Sequence, residues 1–177
     1  MIEAGLPEVE AKVSGDGYHY EAIVIGHCFD GKSMVQQQKM VYATLSEHIT
    51  SGALHALTIK TYTPEQWEKA RQFQAAAAGY RTALKRWPQS LAARMGLGNS
   101  YYALGDFTNS EIAFRELIRL HPQASAAYNN LAQILMEQER YPEALEMARK
   151  AVSLDGPLKA TYHQTLQEIE SKMSQQK

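Results

Sequence analysis

One spacing recurs through the second half of the chain and limits its fold more than any other feature. Equivalent residues lie 34 positions apart in four pairs: Pro88 and Pro122, Leu97-Gly98 and Leu131-Ala132, Tyr101 and Leu135, and Phe107 and Tyr141. A fixed period of this length indicates a supersecondary unit that is repeated and stacked, because one such unit cannot bury its apolar face alone. The second half is therefore predicted to be an all-α solenoid.

This periodic part of the chain resembles the tetratricopeptide repeat family, whose period is likewise about 34 residues. Two complete repeats are predicted at 91–122 and 125–155, between a lone second helix at about 65–86 and a closing helix at about 158–173. Small residues at Gly98, Ala132 and Ala144 let the helices approach. Larger side chains fill the gaps between helices: Tyr101, Phe107, Phe114, Leu135 and Tyr141.

Charge separates the chain into two halves of different composition. The stretch 1–70 carries five Lys, no Arg and nine acidic residues, whereas the remainder carries eight Arg, five Lys and ten acidic residues. The net charges are therefore −4 and +3, although the whole chain carries only −1. We predict two fused domains, an α+β domain at 1–69 and an α-helical repeat domain at 70–177, with the two full repeats at 91–155.

Alternating polar and apolar residues predict strands in the first domain. Residues 8–13 alternate strictly, and a turn over 14–17 with two glycines leads into a second apolar run at 20–25, so the two form a hairpin. Residues 53–60 read as a third strand. A short helix is predicted at the start of the chain. The predicted fold of this domain is a three-stranded sheet covered on one face by helices.

Two capping boxes mark the starts of helices in this half. Ser33 is followed three residues later by Gln36, and Thr63 by Gln66, with Pro64 at the first helical position. Apolar residues at helical spacing follow the first box, at Met34, Val41, Leu45 and Ile49. The second helix is predicted to run without a break from Pro64 to about Arg86 and so to connect the two domains.

Several blocks within the stretch 1–70, in the same order, resemble the BolA family and most closely its short bacterial members. The blocks are 15–20 (GDGYHY), 29–33 (FDGKS), 40–43 (MVYA) and 55–67 (HALTIKTYTPEQW). The resemblance implies a KH-like fold and a partnership with a monothiol glutaredoxin, in which the two proteins and glutathione share an iron–sulfur cluster of the 2Fe-2S type. It also implies a role in iron homeostasis and the stress response.

The same resemblance implies which residues bind the cluster. The family's ligand histidine corresponds to His55, and a second ligand comes from the loop between the first two strands. Cysteine-bearing members have their cysteine at about the position of Asp16, which leaves His19 as the imidazole in this loop. The glutaredoxin and glutathione supply the other ligands, so the chain alone is expected to bind no cofactor. Without the resemblance, a histidine such as His55 on an apolar strand face would be interpreted as structural.

The sequence leaves two alternatives to the cluster-sharing function: DNA binding, and a repeat scaffold without a cluster. BolA-like proteins are also described as DNA-binding regulators that use the turn and helix after Gly31, where this chain offers Lys32 and Lys39. Phosphate binding requires a basic face. The charge of −4 on this half disfavours DNA binding. A second alternative is a repeat scaffold with no cluster role.

The repeats predict a groove for a protein or peptide partner, lined by the first helix of each repeat. The predicted groove residues are Met95, Asn99, Tyr102, Asn129, Gln133 and Met136. Their amide, thioether and phenol groups suit an extended peptide. The Lys and Arg arrangement with which the family holds a C-terminal carboxylate is missing, which argues against chaperone tails as ligands.

Other classes of protein are disfavoured by the sequence. The single Cys28 excludes an internal disulfide and an all-cysteine metal site within one chain. The chain has neither a metalloprotease motif, a phosphate-binding glycine loop nor a nucleophile with an adjacent base. No apolar run reaches the roughly 18 residues of a spanning helix. We therefore expect a cytoplasmic, non-enzymatic adaptor that does not bind membranes.

Overall fold

The structure is a computed structural model that describes residues 2–16, 18–50 and 56–175, and the side chains of all of these except 47–50. The chain divides into two compact units, Met1–Arg71 and Gln72–Lys177. The boundary between the units falls inside one helix, which runs from Pro64 to Arg86 as predicted. The part of the chain that is described contains no helix that is both long and apolar enough to cross a membrane.

The first unit contains a three-stranded mixed sheet. Its elements are α1 (Ile2–Gly5), β1 (Val9–Gly15), β2 (Tyr20–Gly26), a 3-10 turn (His27–Phe29), α2 (Met34–Thr50) and β3 (Leu57–Tyr62). The strand β2 lies in the middle, antiparallel to β1 and parallel to β3. The predicted hairpin and three-stranded sheet are confirmed, and β3 ends two residues later than predicted, at Tyr62. The predicted start of this strand, 53–55, lies outside the described residues.

One face of the sheet and α2 enclose the core of the first unit. Phe29, Val24 and Val41 are fully buried there, together with Ile59. The predicted apolar face of α2 is correct at Val41 and Leu45 but wrong at Met34, whose side chain is 71% exposed. Met34 is the first residue of α2, and the other core positions of this helix begin two turns later.

Buried polar contacts join the start of α2 to the sheet. The Ser33 and Gln36 capping box is present, with the Ser33 N–H donating to Gln36 Oε1 at 2.8 Å. Gln37 is 5% exposed. Its Nε2 donates to the Lys32 carbonyl at 3.0 Å, and its Oε1 accepts from the Thr61 hydroxyl at 2.7 Å. The loop before α2 is therefore tied to β3.

The second unit consists of helices. They are the later part of α3 (Pro64–Arg86), α4 (Leu91–Ala103), α5 (Phe107–Leu120), α6 (Ser125–Glu137), α7 (Tyr141–Ser153) and α8 (Lys159–Gln175). The capping box that starts α3 is confirmed by hydrogen bonds between Thr63 and Gln66 in both directions, at 2.9 and 3.2 Å. The helix pairs α4/α5 and α6/α7 are the two predicted repeats, and α8 is the predicted closing helix.

Small residues allow the helices of each repeat to approach, as predicted. A Cβ placed on Gly98 of α4 would lie 2.7 Å from the ring of Phe114 on α5. Ser110 of α5 is fully buried and donates from its hydroxyl to the Gly98 carbonyl at 2.8 Å. Ala132 and Ala144 are also fully buried, in the main core of the repeats. Close packing at these positions holds the two helices of a repeat together.

Candidate functional site

The turn between β1 and β2 holds the predicted ligand His19. The Asp16 carboxylate accepts the backbone N–H groups of Tyr18 at 2.9 Å and His19 at 2.7 Å. These hydrogen bonds, that of His19 first, lower the pKa of Asp16. The His19 imidazole is 80% exposed, and its Nδ1 lies 3.6 Å from Asp16 Oδ2. At this distance the two side chains form no hydrogen bond, and the largely exposed ring is open to an external ligand.

This turn lies beside the chain that enters β3. The Tyr20 N–H donates to the Ala56 carbonyl at 2.8 Å, and Tyr20 pairs with Leu57 in the parallel register. A shallow depression at this edge is lined by Ser14, Gly15, Asp16, His19, Tyr20, Glu21 and Thr58. His55 itself lies outside the described residues. Ala56, to which His55 is bonded, is thus placed against the residue that follows His19.

The described donors do not assemble into a metal site within one chain. Among the described residues, no group of three or more His, Cys, Asp or Glu side chains is placed to hold a metal ion. The Asp16 carboxylate lies near His19 Nδ1, and imidazoles that bind metals commonly donate one ring N–H to a carboxylate. Cys28 is partly buried, and burial raises the pKa of its thiol, which disfavours the thiolate that metals require.

The predicted DNA contacts Lys32 and Lys39 are both exposed. Lys39 follows Val35 by four residues and precedes Tyr42 by three, so the three side chains share one face of α2. Val35 is 61% exposed and Tyr42 is 43% exposed. The exposed face of α2 around Lys39 is therefore apolar rather than basic.

Amide side chains meet where the first helices of the two repeats face each other. Asn130 Nδ2 on α6 donates to Asn99 Oδ1 on α4 at 2.9 Å and also contacts Met95 Sδ at 3.7 Å. Asn99 is exposed, and Gln133 is half-buried. Asn130 was not among the groove residues predicted from the sequence. Its position in the sequence could have indicated it: Asn130 directly follows the predicted residue Asn129, and its side chain points about 100° further around α6.

Two of the predicted groove residues are buried instead. Asn129 is only 3% exposed and Met136 only 6% exposed. Met136 belongs to the main core of the repeats, against which Met95 packs. Neither side chain is open to solvent, so the structure corrects their assignment to an open groove.

Tyr102 lies near acidic side chains. Its ring is 37% exposed and its centroid lies 5.7 Å from that of Phe107. Burial, followed by the charges of Glu137 and Glu168, raises the pKa of Tyr102. The phenol therefore stays protonated and remains a hydrogen-bond donor.

Two family patterns match the chain in succession. The BolA-like protein pattern matches residues 5–66, and the tetratricopeptide repeat pattern matches 68–125 and 97–158, which together cover more than half of the chain. The chain belongs to the tetratricopeptide repeat family and carries a BolA-like domain ahead of the repeats. Both resemblances stated from the sequence are thereby confirmed. These two kinds of domain support an adaptor or interaction role.

Relatives of known sequence match the BolA-like domain. The acid stress protein IbaG of Escherichia coli (strain K12) is 46% identical over 63 residues, which are 36% of this chain and 75% of that protein. An uncharacterized protein of Acinetobacter guillouiae, from the rpoN-murA intergenic region, is 39% identical over 75 residues, 42% of this chain and 90% of that protein.

A solved structure resembles the fold of the repeats. It is the first tetratricopeptide repeat domain of Spaghetti (RPAP3) bound to the HSP90 peptide SRMEEVD, with a TM-score of 0.55. The similarity covers 78% of this chain and 94% of that one at 13% sequence identity. At this identity the likeness concerns the fold alone.

Proposed function

We propose that this protein is a non-enzymatic, cytoplasmic adaptor whose BolA-like domain shares a 2Fe-2S cluster with a monothiol glutaredoxin and glutathione. His55 is the main ligand of this domain and His19 the second. The repeats recruit a further protein. Similarity to an acid stress protein agrees with a role in the stress response, and a shared cluster would connect the protein to iron homeostasis.

The observation that carries the cluster proposal is the hydrogen bond from the Tyr20 N–H to the Ala56 carbonyl, at 2.8 Å. It holds Tyr20, which follows His19 in the sequence, against Ala56, which follows His55. The Asp16 carboxylate lies 3.6 Å from His19 Nδ1, which favours Nε2 as the atom that binds iron. Histidine ligands on one iron raise the reduction potential of such a cluster when it is bound.

The partner must supply the other ligands, because the described residues of this chain offer no third donor beside His19. An exposed imidazole at the rim of a shallow depression suits this arrangement, since it leaves room for a second protein to approach. The proposal therefore requires a complex of the two proteins and predicts no cluster on the isolated chain.

Reconstitution tests the cluster proposal. The full chain is mixed without oxygen with a monothiol glutaredoxin, glutathione, ferrous iron and sulfide, and the complex is isolated by size exclusion. We expect a coloured heterocomplex whose visible absorption and circular dichroism change on His55→Ala and, more weakly, on His19→Ala. His27→Ala is the matched control, because His27 is exposed in the same unit and contacts only Asp30, at 3.1 Å. An identical spectrum for His55→Ala would exclude the proposed ligand.

For the repeats, the amides of Asn99, Asn130 and Gln133 suit the backbone of an extended peptide, because an amide side chain both donates and accepts hydrogen bonds. Peptides selected from a displayed random library should lose affinity for Asn99→Ala and Asn130→Ala. Gln123→Ala is the control, since Gln123 lies in the exposed loop before α6. Selected peptides that bind all three variants equally would exclude this groove.

A further inference from the structure

An open cavity of about 560 Å³ lies between α4 and α5. Arg94, Leu97 and Tyr101 line it from α4, and they share one face of this helix because they lie three and four residues apart. Asn99, which belongs to the groove with Asn130, is two residues from both Leu97 and Tyr101. It therefore lies about 160° away around α4. The cavity and the groove are different surfaces.

The floor of the cavity is apolar. Leu97 and Ala113 line it and are buried, and they pack together with Ala77 of α3. Ile112 of α5 lines the same cavity, but 60% of its side chain is exposed. Removal of this apolar surface from water would be favourable. The floor therefore suits a ligand with an apolar side chain that covers Ile112.

The wall of the cavity contains Arg94, a half-buried arginine. Its Nη2 donates to the Pro88 carbonyl, an uncharged acceptor, at 2.6 Å. Its Nε is buried and makes no hydrogen bond to the described part of the chain. Arg94 also forms no ion pair with any acidic side chain that the structure describes. A charge that is partly removed from water without a counter-charge is unfavourable, so a bound anion would stabilise it.

The nearby carboxylate of Glu116 is held by another arginine. It accepts hydrogen bonds from Arg119 Nε at 2.8 Å and from Arg119 Nη2 at 2.6 Å. These hydrogen bonds lower the pKa of Glu116, and the charge of Arg94 adds to the effect. Glu116 is therefore bound to Arg119 and leaves Arg94 without a carboxylate of its own.

A second cavity, of about 530 Å³, adjoins the first and shares Arg115 and Arg119 as a wall. Its other lining residues are Ile118, Tyr128, Leu131, Glu146, Met147 and Lys150. Both arginines are paired with glutamates, but the Nη1 nitrogen of each makes no hydrogen bond to the described residues. Two adjacent cavities with shared donors suit an elongated ligand better than a small molecule.

We propose that the two cavities bind an acidic peptide segment of a partner protein, with a carboxylate at Arg94 and an apolar side chain over Ile112. Among the described residues that line the cavities, four are basic and two are acidic, so the charges are complementary. Nucleic acid fits less well, because its backbone has no apolar side chain for Ile112 and its phosphates would approach Glu116 and Glu146. The inference depends neither on the cluster nor on the groove.

Fluorescent peptides test the proposal by anisotropy with the full chain. The acidic probe repeats the unit Asp-Leu-Asp, and the matched probe has asparagine in place of every aspartate. The acidic probe should bind about tenfold more tightly, and the difference should shrink as salt is raised.

Two variants should each reduce the affinity for the acidic probe about tenfold. Arg94→Gln removes the charge, and Ile112→Glu places a carboxylate in the cavity. Because Ile112 is exposed, the second variant should keep the fold, which circular dichroism verifies. Arg149→Gln is the matched control, since Arg149 is an exposed arginine of α7 that lines neither cavity. It should leave the affinity unchanged, as should Asn99→Ala in the groove.

Several outcomes would overturn the proposal. One is equal affinity for the two probes, and another is unchanged binding by both Arg94→Gln and Ile112→Glu. Loss of binding on Asn99→Ala would assign the peptide to the groove instead. A DNA oligonucleotide that binds more tightly than the acidic probe and is lost on Arg94→Gln would make nucleic acid the occupant. Sedimentation that shows a dimer lost on Ile112→Glu would make a second copy the occupant.

Discussion

In the BolA-like unit, Val24, Val41 and Ile59 meet in one core although they come from three elements that are far apart in its sequence, whereas in the repeats most helix contacts join helices that follow one another in the chain. The sheet unit therefore has a single core on which every strand depends. The repeats have a core distributed along a row of helices, so that stability is a sum over neighbours. A change at one buried residue should spread through the first unit and remain local in the second. Matched substitutions in the two units test this difference.

The largest effect is expected for loss of a buried aromatic side chain. Phe29 is fully buried, and Phe29→Ala should cost about 3–5 kcal/mol, which is most of the stability of a small domain. Hydrogen exchange followed by mass spectrometry of the full chain should show lost protection across β1, β2 and β3 together.

The matched change in the repeats is Leu135→Ala. Leu135 is also fully buried, and its loss should cost about 2–5 kcal/mol. We expect lost protection to centre on α6 and its neighbours. Val35→Ala, at a residue 61% exposed on α2, is the control and should change little. A uniform loss of protection through all helices of the repeats would contradict the distributed core.

A smaller effect is expected at Gln37, which joins α2 to the sheet. Gln37→Ala leaves the Lys32 carbonyl and the Thr61 hydroxyl without their partner in a partly buried place. The expected cost is about 1–3 kcal/mol in the free energy of unfolding of the first unit. Urea denaturation measures it, with Gln38→Ala as the control on the next residue. Equal stability of the two variants would show that water replaces these hydrogen bonds.

Helix caps should matter about equally in the two units. Ser33→Ala removes the cap of α2, and Asp106→Ala removes the cap of α5, where the carboxylate accepts the Asn109 N–H at 3.1 Å. Each should cost about 1 kcal/mol, because one end of one helix loses a hydrogen bond in either case. Thermal melts of the two variants compare the costs. A much larger cost for Ser33→Ala would indicate that the sheet unit amplifies even local changes.

The smallest effect is a pH dependence of the repeats. Burial acts to raise the pKa of Glu111, but hydrogen bonds from Arg115 and Arg140 outweigh it and lower the pKa. A lowered pKa in the folded state stabilises the fold above the ordinary value of 4.5, and this stabilisation is lost as the pH falls through the folded value.

The Glu111→Gln variant should therefore show a weaker loss of stability than the unmodified chain between about pH 5 and pH 3. Because Arg140 is partly exposed, the difference should be at most about 1 kcal/mol. Melting temperatures measured across this range provide the test. Parallel curves for the two proteins would mean that this ion pair adds nothing to the stability of the repeats.

The sequence predicted the helices of the repeats closely because their signal is local. The predicted repeats began at residues 91 and 125, where α4 and α6 begin. Capping boxes at Ser33 and Thr63 likewise marked the starts of α2 and α3, since the groups that cap a helix lie within three residues of each other. Alternation of polar and apolar residues likewise predicted the strands of the first unit, but the parallel pairing of β2 with β3 joins residues far apart in the sequence and has no local signal.

The candidate sites were harder to predict. The sequence placed Asn129 in the groove, but the structure brings Asn130 to Asn99, because one residue turns the side chain by about 100°. His55 stays a prediction, since it lies outside the described residues. For His19 the structure added the Asp16 contact, which no spacing rule had indicated.

Phe73 and Phe107 show what the sequence determined and what it did not. Both occupy the same position of the repeat, and the sequence alone identified this position and its helix. Only the tertiary structure decided that Phe107 is half-buried beside Tyr102 while Phe73 stays 39% exposed. The physical reason is that local periodicity fixes which face of a helix is apolar, whereas burial requires a neighbouring helix. The stretch 57–69, one repeat period before α4, forms β3 and the start of α3 instead.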